Sequence, residues 1–379
     1  MKPVVIAAYV RSPFTPANKG ALSEIRADDL AAQVIRGLIE RTGIDPGEIE
    51  DLIVGCAFPE AEQGLNVARL IGVLAGLPMS VTGVTVNRFC GSSMQAIHMA
   101  AGAVQMNAGD AFICAGVESM TRVPIMGFNP MPNPALFDRY PQAYISMGET
   151  AENVAAKYGL SRTEQDAFAD HSHQRAAAAQ AAGRLADEIV PIETAAGTVD
   201  QDGCIRPETT LEKLAELKPA FDKDGTVTAG TSSPLTDGAS AVLVCTSEFA
   251  DRTGLKALAV IKGIATHGCQ PELMGIGPVG ASEKALSRAG IGVEDLDIIE
   301  LNEAFAAQAL ANIHDLGLPT SKINLDGGAI AIGHPLGATG ARITGKAAQL
   351  LVRQGARYGL ATQCIGGGQG IATVLEAAR

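Results

Sequence analysis

The stretch Gly43-Ile44, Glu48-Ile49-Glu50, Leu52-Ile53-Val54 and Ala57-Phe58 returns later as Gly290-Ile291, Asp295-Leu296-Asp297, Ile298-Ile299 and Ala304-Phe305. Each time a glycine closes one segment, a short acidic turn follows, and a compact apolar run leads into a small-residue loop. At the same offset, Asn87-Arg88-Phe89-Cys90-Gly91-Ser92 falls opposite His334-Pro335-Leu336-Gly337-Ala338-Thr339. Two generic helix-to-strand passages produce one such match by coincidence. A register that survives from one segment to the next reads instead as an internal duplication, with any gaps between them cancelling.

Working outward, each copy alternates helices with short buried strands. The spacing predicts a helix from about Ser92 to Met106, a stop at Asn107-Ala108-Gly109, and a strand over Ala111–Ala115. The second copy reads as helix Ala341–Gln354, then Gly355, then strand Tyr358–Thr362. Continuous apolar runs of this length suit strands covered on both faces. Between the copies, Glu118 to Ser232 breaks the pattern with a Pro/Met-rich loop (Pro124 to Pro141), an amphipathic helical stretch and the segment Arg206 to Lys223. The expected division is a first core half over 1–117 plus about 233–255, an inserted substrate-binding loop domain over 118–232, and a second core half over 256–379.

Composition limits what this frame does. The chain has 379 residues, 47% apolar and 18% charged, the balance of a packed enzyme with a substantial core. Aromatics reach only 4%, with no Trp, so small residues must let the layers approach closely. A net charge of −12 argues against nucleic acid or an anionic membrane as the main partner. The opening run through Ala8 reads as a strand, too short for a signal peptide or a membrane span. Seven cysteines form neither a C-x-x-C pair nor zinc spacing, so no metal is expected and reduced, cytoplasmic thiols are.

Four segments carry candidate chemistry. Cys90, in Asn87-Arg88-Phe89-Cys90-Gly91-Ser92-Ser93-Met94, sits where a strand turns into a helix. A thiol there faces the helix's N-terminal amides, which is expected to lower its pKa; the plainer reading is an inert core cysteine. His334, in Gly333-His334-Pro335-Leu336-Gly337, is either a turn histidine or a base in a narrow site. A phosphate loop is discounted there because the Walker lysine is missing. Cys364 leads into Ile365-Gly366-Gly367-Gly368, whose backbone N–H groups suit an oxyanion hole or simply a tight turn. Asn302-Glu303, between apolar runs, is either a buried structural network or a site that orients water or an oxyanion.

In this order the four segments resemble the thiolase family. The likeness extends through Gly225-Thr226-Val227-Thr228-Ala229-Gly230 and Ser233 to Asp237-Gly238-Ala239, essentially the whole chain. The resemblance implies an α/β thiolase fold, with duplicated βαβαβαββ halves in a five-layer αβαβα arrangement and an inserted loop domain. It implies Cys90 as the acyl-accepting nucleophile, His334 as its base, and Cys364 as the acid/base at the α-carbon. Asn302, through a water, and His334 would form one oxyanion hole; the N–H groups of Cys90 and Gly366 would form another. Arg206, Ser233 and Met147 match positions near coenzyme A and the acyl group. Coenzyme A enters as co-substrate, with no permanently bound cofactor. Family habit adds a homodimer or homotetramer and allows a β-oxidation partner subunit.

The Cys90 loop resembles degradative 3-ketoacyl-CoA thiolases of fatty-acid β-oxidation, and Ser146 stands where short-chain synthetic members carry His. Thr150-Ala151-Glu152-Asn153-Val154 also suits synthetic members, so acetoacetyl-CoA thiolase is the alternative. A decarboxylating ketoacyl synthase would need Cys-His-His rather than a second cysteine. A non-catalytic lipid-binding relative would have lost catalytic positions that are present here, and nothing resembles a cysteine hydrolase.

Overall fold

The computed structural model describes residues 2–378; Met1 and Arg379, the outermost residues of the two expected halves, lie outside them. The frame is built by strands β1 (Val4–Arg11), β2 (Asp51–Gly55), β3 (Thr82–Val86), β4 (Ala111–Ser119), β5 (Thr236–Thr246), β6 (Ala259–Gly268), β7 (Ile298–Leu301), β8 (Tyr358–Ile365) and β9 (Gln369–Ala377). Their spatial order is β7-β8-β9-β6-β1-β5-β4-β2-β3, with the two-residue strand Thr15–Pro16 attached to β5.

The duplication is visible in this topology. In the first half β1 is antiparallel to β5, β5 antiparallel to β4, and β4 parallel to β2, which runs parallel to β3. In the second, β6 is antiparallel to β9, β9 antiparallel to β8, and β8 parallel to β7. The fifth position shrinks to a single parallel bridge, Ile299 to Ile323. The halves meet through two residue pairs, Val5 with Val260 and Ile6 with Ala259.

Strand alternation then builds three apolar layers. On β2, Leu52 and Val54 join the cluster under α1 (Ala27–Thr42) and α2 (Val67–Ala75), while Ile53 faces the middle cluster. On β9, Ile371 and Leu375 face the middle and Ala372 and Val374 face α6 and α7 (Gly277–Ala289 and Ala306–Leu316). Side chains at i and i+2 share a face, so every central strand serves two cores at once. Helices α3 (Ser92–Gln105) and α9 (Thr339–Gln354), the latter preceded by the short α8 (Ala329–Ile332), fill the middle layer between the sheet halves. Most of both helices is buried, and the charges that α9 brings into the layer, Arg342 and Lys346, meet buried carboxylates. Close approach explains their alanines and glycines: a Cβ on Gly340 would stand 2.3 Å from the Met94 backbone nitrogen.

The expected element limits shift at their ends. Strand β4 continues through Ser119, so Glu118 belongs to the core strand rather than the insert. Helix α3 stops at Gln105, and Asn107 takes the left-handed conformation (φ 63°) ahead of Gly109. The Pro/Met-rich loop contains a short helix, Pro134–Arg139. The insert also carries α4 (Met147–Tyr158) and α5 (Arg162–Ala181), each opened by a serine capping box. The buried side of α5 includes Gln165, Asp166, Ser172 and His173, which is why its apolar periodicity is faint in the sequence.

A buried ion network ties insert to core. Arg11 on β1 pairs with Glu188 at 2.8 Å and Asp202 at 2.6 Å; Lys346 on α9 pairs with Glu188 and Asp326 at 2.8 Å. None of these residues stood out in the sequence, because all but the Lys346–Asp326 pair join residues more than a hundred positions apart.

Candidate active site

Cys90 sits at the end of the turn between β3 and α3. That turn is cross-braced: Phe89 N donates to Asn87 Oδ1 (2.8 Å), Arg88 N to Ser92 Oγ (2.9 Å), and Ser92 Oγ to the Phe89 carbonyl (2.6 Å). The bracing forces Phe89 to φ +42°, a region that costs a bulky residue on the order of 1–3 kcal/mol and persists where the surroundings over-determine it. The Arg88 guanidinium reaches Gln369 Oε1 at 2.8 Å, joining this loop to the other half.

The Cys90 thiol is 2% exposed, and burial pushes its pKa up to about 11. The amides of Gly366 and of Cys90 itself hydrogen-bond to the sulfur and pull the other way. The expectation of a lowered pKa is therefore corrected: loss of water around the sulfur outweighs the two amides. The resting group is a thiol, which needs a base.

His334 lines the same cavity as Cys90. Its Nδ1 lies 2.6 Å from Thr339 Oγ1, and that hydroxyl donates its only proton to the Pro335 carbonyl at 3.0 Å. Thr339 Oγ1 therefore accepts from Nδ1–H, leaving the lone pair on Nε2. Asn302 Nδ2 lies 3.3 Å from that Nε2. Burial, and after it the Arg342 charge, lower the His334 pKa to about 3, so the ring is neutral. The backbone is fixed by His334 N donating to Thr236 Oγ1 at 3.0 Å.

Cys364 is fully buried near the end of β8, and burial, then the neighbouring Cys90 and Cys269 thiols, hold its pKa well above the usual range. The adjacent Gln363 amide donates to the Cys90 carbonyl. Gly368 (φ 80°) must be glycine, since a Cβ would stand 2.4 Å from the Cys269 carbonyl oxygen. The chain thus turns sharply and leaves the Gly366 amide facing Cys90.

The Asn302-Glu303 pair divides its roles. Glu303 is structural: it accepts from Ser172 Oγ (2.6 Å), Asn324 Nδ2 (2.7 Å) and the Ile330 amide (3.3 Å). Sequence reasoning missed Glu118, whose buried carboxylate accepts from the amides of Ala57, Phe58 and Gly337 and so joins the loop after β2 to the His334 loop. Its one local signal is an acid at the end of the apolar run Ala111–Val117.

Two cavities meet at Cys90. One, of about 300 Å³, is lined by Phe58, Phe89, Met126, Met131, Tyr144 and Gly366. The other, of about 340 Å³, is lined by Phe221, Ser233, Leu235, Phe305 and His334. Met147 borders both, whereas Arg206 is exposed, lines neither, and has its backbone amide on His173 Nδ1 at 3.2 Å.

Residues 4–248 match the family model described as "Thiolase, N-terminal domain", and residues 255–377 match "Thiolase, C-terminal domain". The 3-ketoacyl-CoA thiolase of Bacillus subtilis is 48% identical, the match covering 99% of this chain and 100% of that protein. The crystal structure of human mitochondrial 3-ketoacyl-CoA thiolase in complex with CoA superposes with a TM-score of 0.91 at 38% identity, over 100% of this chain and 98% of that one. The acetyl-CoA acetyltransferase of Bacillus anthracis gives 0.91 at 39% identity, over 100% and 99%.

Proposed function

The chain belongs to the thiolase family, and on that premise we propose that it is a 3-ketoacyl-CoA thiolase, cleaving 3-ketoacyl-CoA with coenzyme A to acetyl-CoA and a shortened acyl-CoA. The observation that carries the reading is the meeting of Cys90, His334 and Ser233 on one cavity with a second apolar cavity opening onto the same sulfur.

The reaction follows from the groups present. His334 Nε2 takes the thiol proton as Cys90 Sγ attacks the 3-ketone, so no thiolate need exist at rest. The oxygen on the attacked carbon lies beside the sulfur, where the Cys90 and Gly366 amides donate to it. The C2–C3 bond breaks, its electrons forming the enolate of acetyl-CoA, and Cys364 delivers a proton to C2. Protonated His334 and Asn302, the latter through a water, stabilise the enolate oxygen. Coenzyme A then attacks the acyl-Cys90 thioester; its thiol proton returns Cys364 to the neutral state, and His334 reprotonates Cys90. Two buried thiols with different neighbours divide nucleophile and acid between them. Ser233 and Met147 border the path of the pantetheine arm, and Arg206 meets the nucleotide end at the surface.

A homodimer across β3 fits the same reading. This strand is the free edge of its half, and Leu65 (89% exposed) and Met79 (71%) add apolar surface on segments flanking α2. A tetramer or a β-oxidation partner subunit would build on that dimer. Among the described residues no helix is long and apolar enough to cross a membrane. The free cysteines fit a reducing compartment, and we place the enzyme in the cytoplasm.

The test is thiolysis of acetoacetyl-CoA and longer 3-ketoacyl-CoA substrates by wild type, Cys90→Ser and Cys364→Ser. Loss of the nucleophile should cost at least about a thousandfold in kcat. Undiminished turnover by Cys90→Ser overturns the mechanism, and cleavage of acetoacetyl-CoA alone moves the enzyme to the short-chain alternative.

A further inference from the structure

The strained turn before the nucleophile presents a large apolar ring, 36% exposed, to the cavity of about 300 Å³. The Phe89 ring centroid is 5.9 Å from that of Phe58 with the planes inclined at 45°, so the two form one extended wall. Cβ atoms built on Gly366 and Gly367 would stand 3.7 and 3.9 Å from Phe89 ring atoms, so the absence of side chains there leaves a strip free along the ring. Ile125, Met126 and Tyr144 line the same cavity, and no residue lining it carries a charge. Cys90 lies on its wall, and so does Met131, 90% exposed at the outer rim.

We propose that Phe89 is the specificity-determining residue of the acyl site: with Phe58 it forms the apolar wall along which a linear acyl chain of medium or greater length runs from Cys90 toward the surface. The inference rests on the reading of Cys90 as the acyl-bearing thiol. An acetyl unit presents a single methyl to this wall and gains little from it. A longer chain lays successive methylenes between the rings and the methionines, each removing apolar surface from water. The rim is open at Met131, so the channel has no blind end to reject long chains. A chain that branches next to the ketone is widest beside Cys90, where the Phe89 ring of the same turn stands. The left-handed backbone fixes the ring relative to the sulfur, because both belong to one braced turn.

The experiment compares kcat/KM for acetoacetyl-CoA, 3-ketooctanoyl-CoA, 3-ketohexadecanoyl-CoA and the branched 4-methyl-3-ketopentanoyl-CoA. Wild type should prefer the linear longer substrates. Phe89→Ala should lower the octanoyl-to-acetoacetyl ratio by about tenfold or more and raise the relative rate on the branched substrate. Phe89→Leu should fall between them. Phe58→Ala, placed on the same wall outside the strained turn, should shift the ratio in the same direction. Met131→Asp at the rim should depress the hexadecanoyl rate more than the octanoyl rate. Equal losses on every substrate in both the Phe89 and Phe58 variants would reduce the wall to a structural role and overturn the proposal. A wild type that cleaves acetoacetyl-CoA but not the longer substrates overturns the chain-length assignment and leaves the thiolase reading standing. A wild type that cleaves none of them overturns both.

Discussion

At the residue scale, catalysis turns on which atoms hold protons. Burial raises the Cys90 thiol to about 11 and lowers His334 to about 3, so the resting pair is neutral. Its competence depends on Nε2 carrying the lone pair, and the Thr339 hydroxyl sets that tautomer from the other side of the ring. Thr339→Val keeps the shape but leaves Nδ1–H without an acceptor, and should lower kcat by about tenfold or more with KM little changed. Thr339→Ser should restore most of the rate. An unchanged kcat in the valine variant would show that the hydroxyl does not set the tautomer. His334 was readable as a candidate from its glycine setting, whereas its tautomer was not, because it depends on the angle at which α9 begins.

At the element scale, α3 and α9 fix where the Cys90 and His334 loops end. They pack so closely that Gly340 has no room for a Cβ beside the Met94 backbone, while Gly102, on the same α3, has nothing within 4 Å. Gly340→Ala should therefore lose about 2–3 kcal/mol in urea unfolding through overpacking. Gly102→Ala should gain about 0.5–1 kcal/mol from helix propensity. A Gly340→Ala protein as stable as wild type would contradict the helix contact. The existence and type of both helices were legible from their spacing and terminal glycines. Their mutual contact was not: a glycine inside a helix reads only as a weak residue until the partner is known.

At the scale of the whole molecule, buried polar groups join the halves to each other and to the insert. His98 on α3 places Nε2 2.8 Å from Thr373 Oγ1 on β9, and burial holds its pKa at about 3. A histidine depressed in the folded state binds its proton more readily when unfolded. It therefore withdraws stability as pH falls below about 6.5, until the folded group also titrates near 3. His98→Gln removes that one contribution. Relative to wild type, the variant's stability should improve by about 1.5 kcal/mol between pH 6.5 and pH 5, as measured by denaturant unfolding at both. A difference between the two proteins that does not change with pH would mean that folding leaves the His98 pKa where it stands in the unfolded chain. The Arg11–Glu188–Lys346–Asp326 network belongs to this scale too, since removing one partner strands a buried charge.

The sequence by itself determined the duplication, the alternation of helices with doubly covered strands, the order of the four loops and the chemical types they carry. Those are local properties, set by spacing and side-chain identity over ten or twenty residues. The tertiary structure decided what the loops become together: Cys90 as a protonated thiol, Glu303 as a brace while its neighbour Asn302 meets His334, Glu118 as the tie between two loops, and a ring at Phe89 facing an apolar channel. The physical reason is that pKa, tautomer and cavity shape follow from desolvation and packing. Both are imposed by residues far away in the chain, brought near only when the halves close on each other.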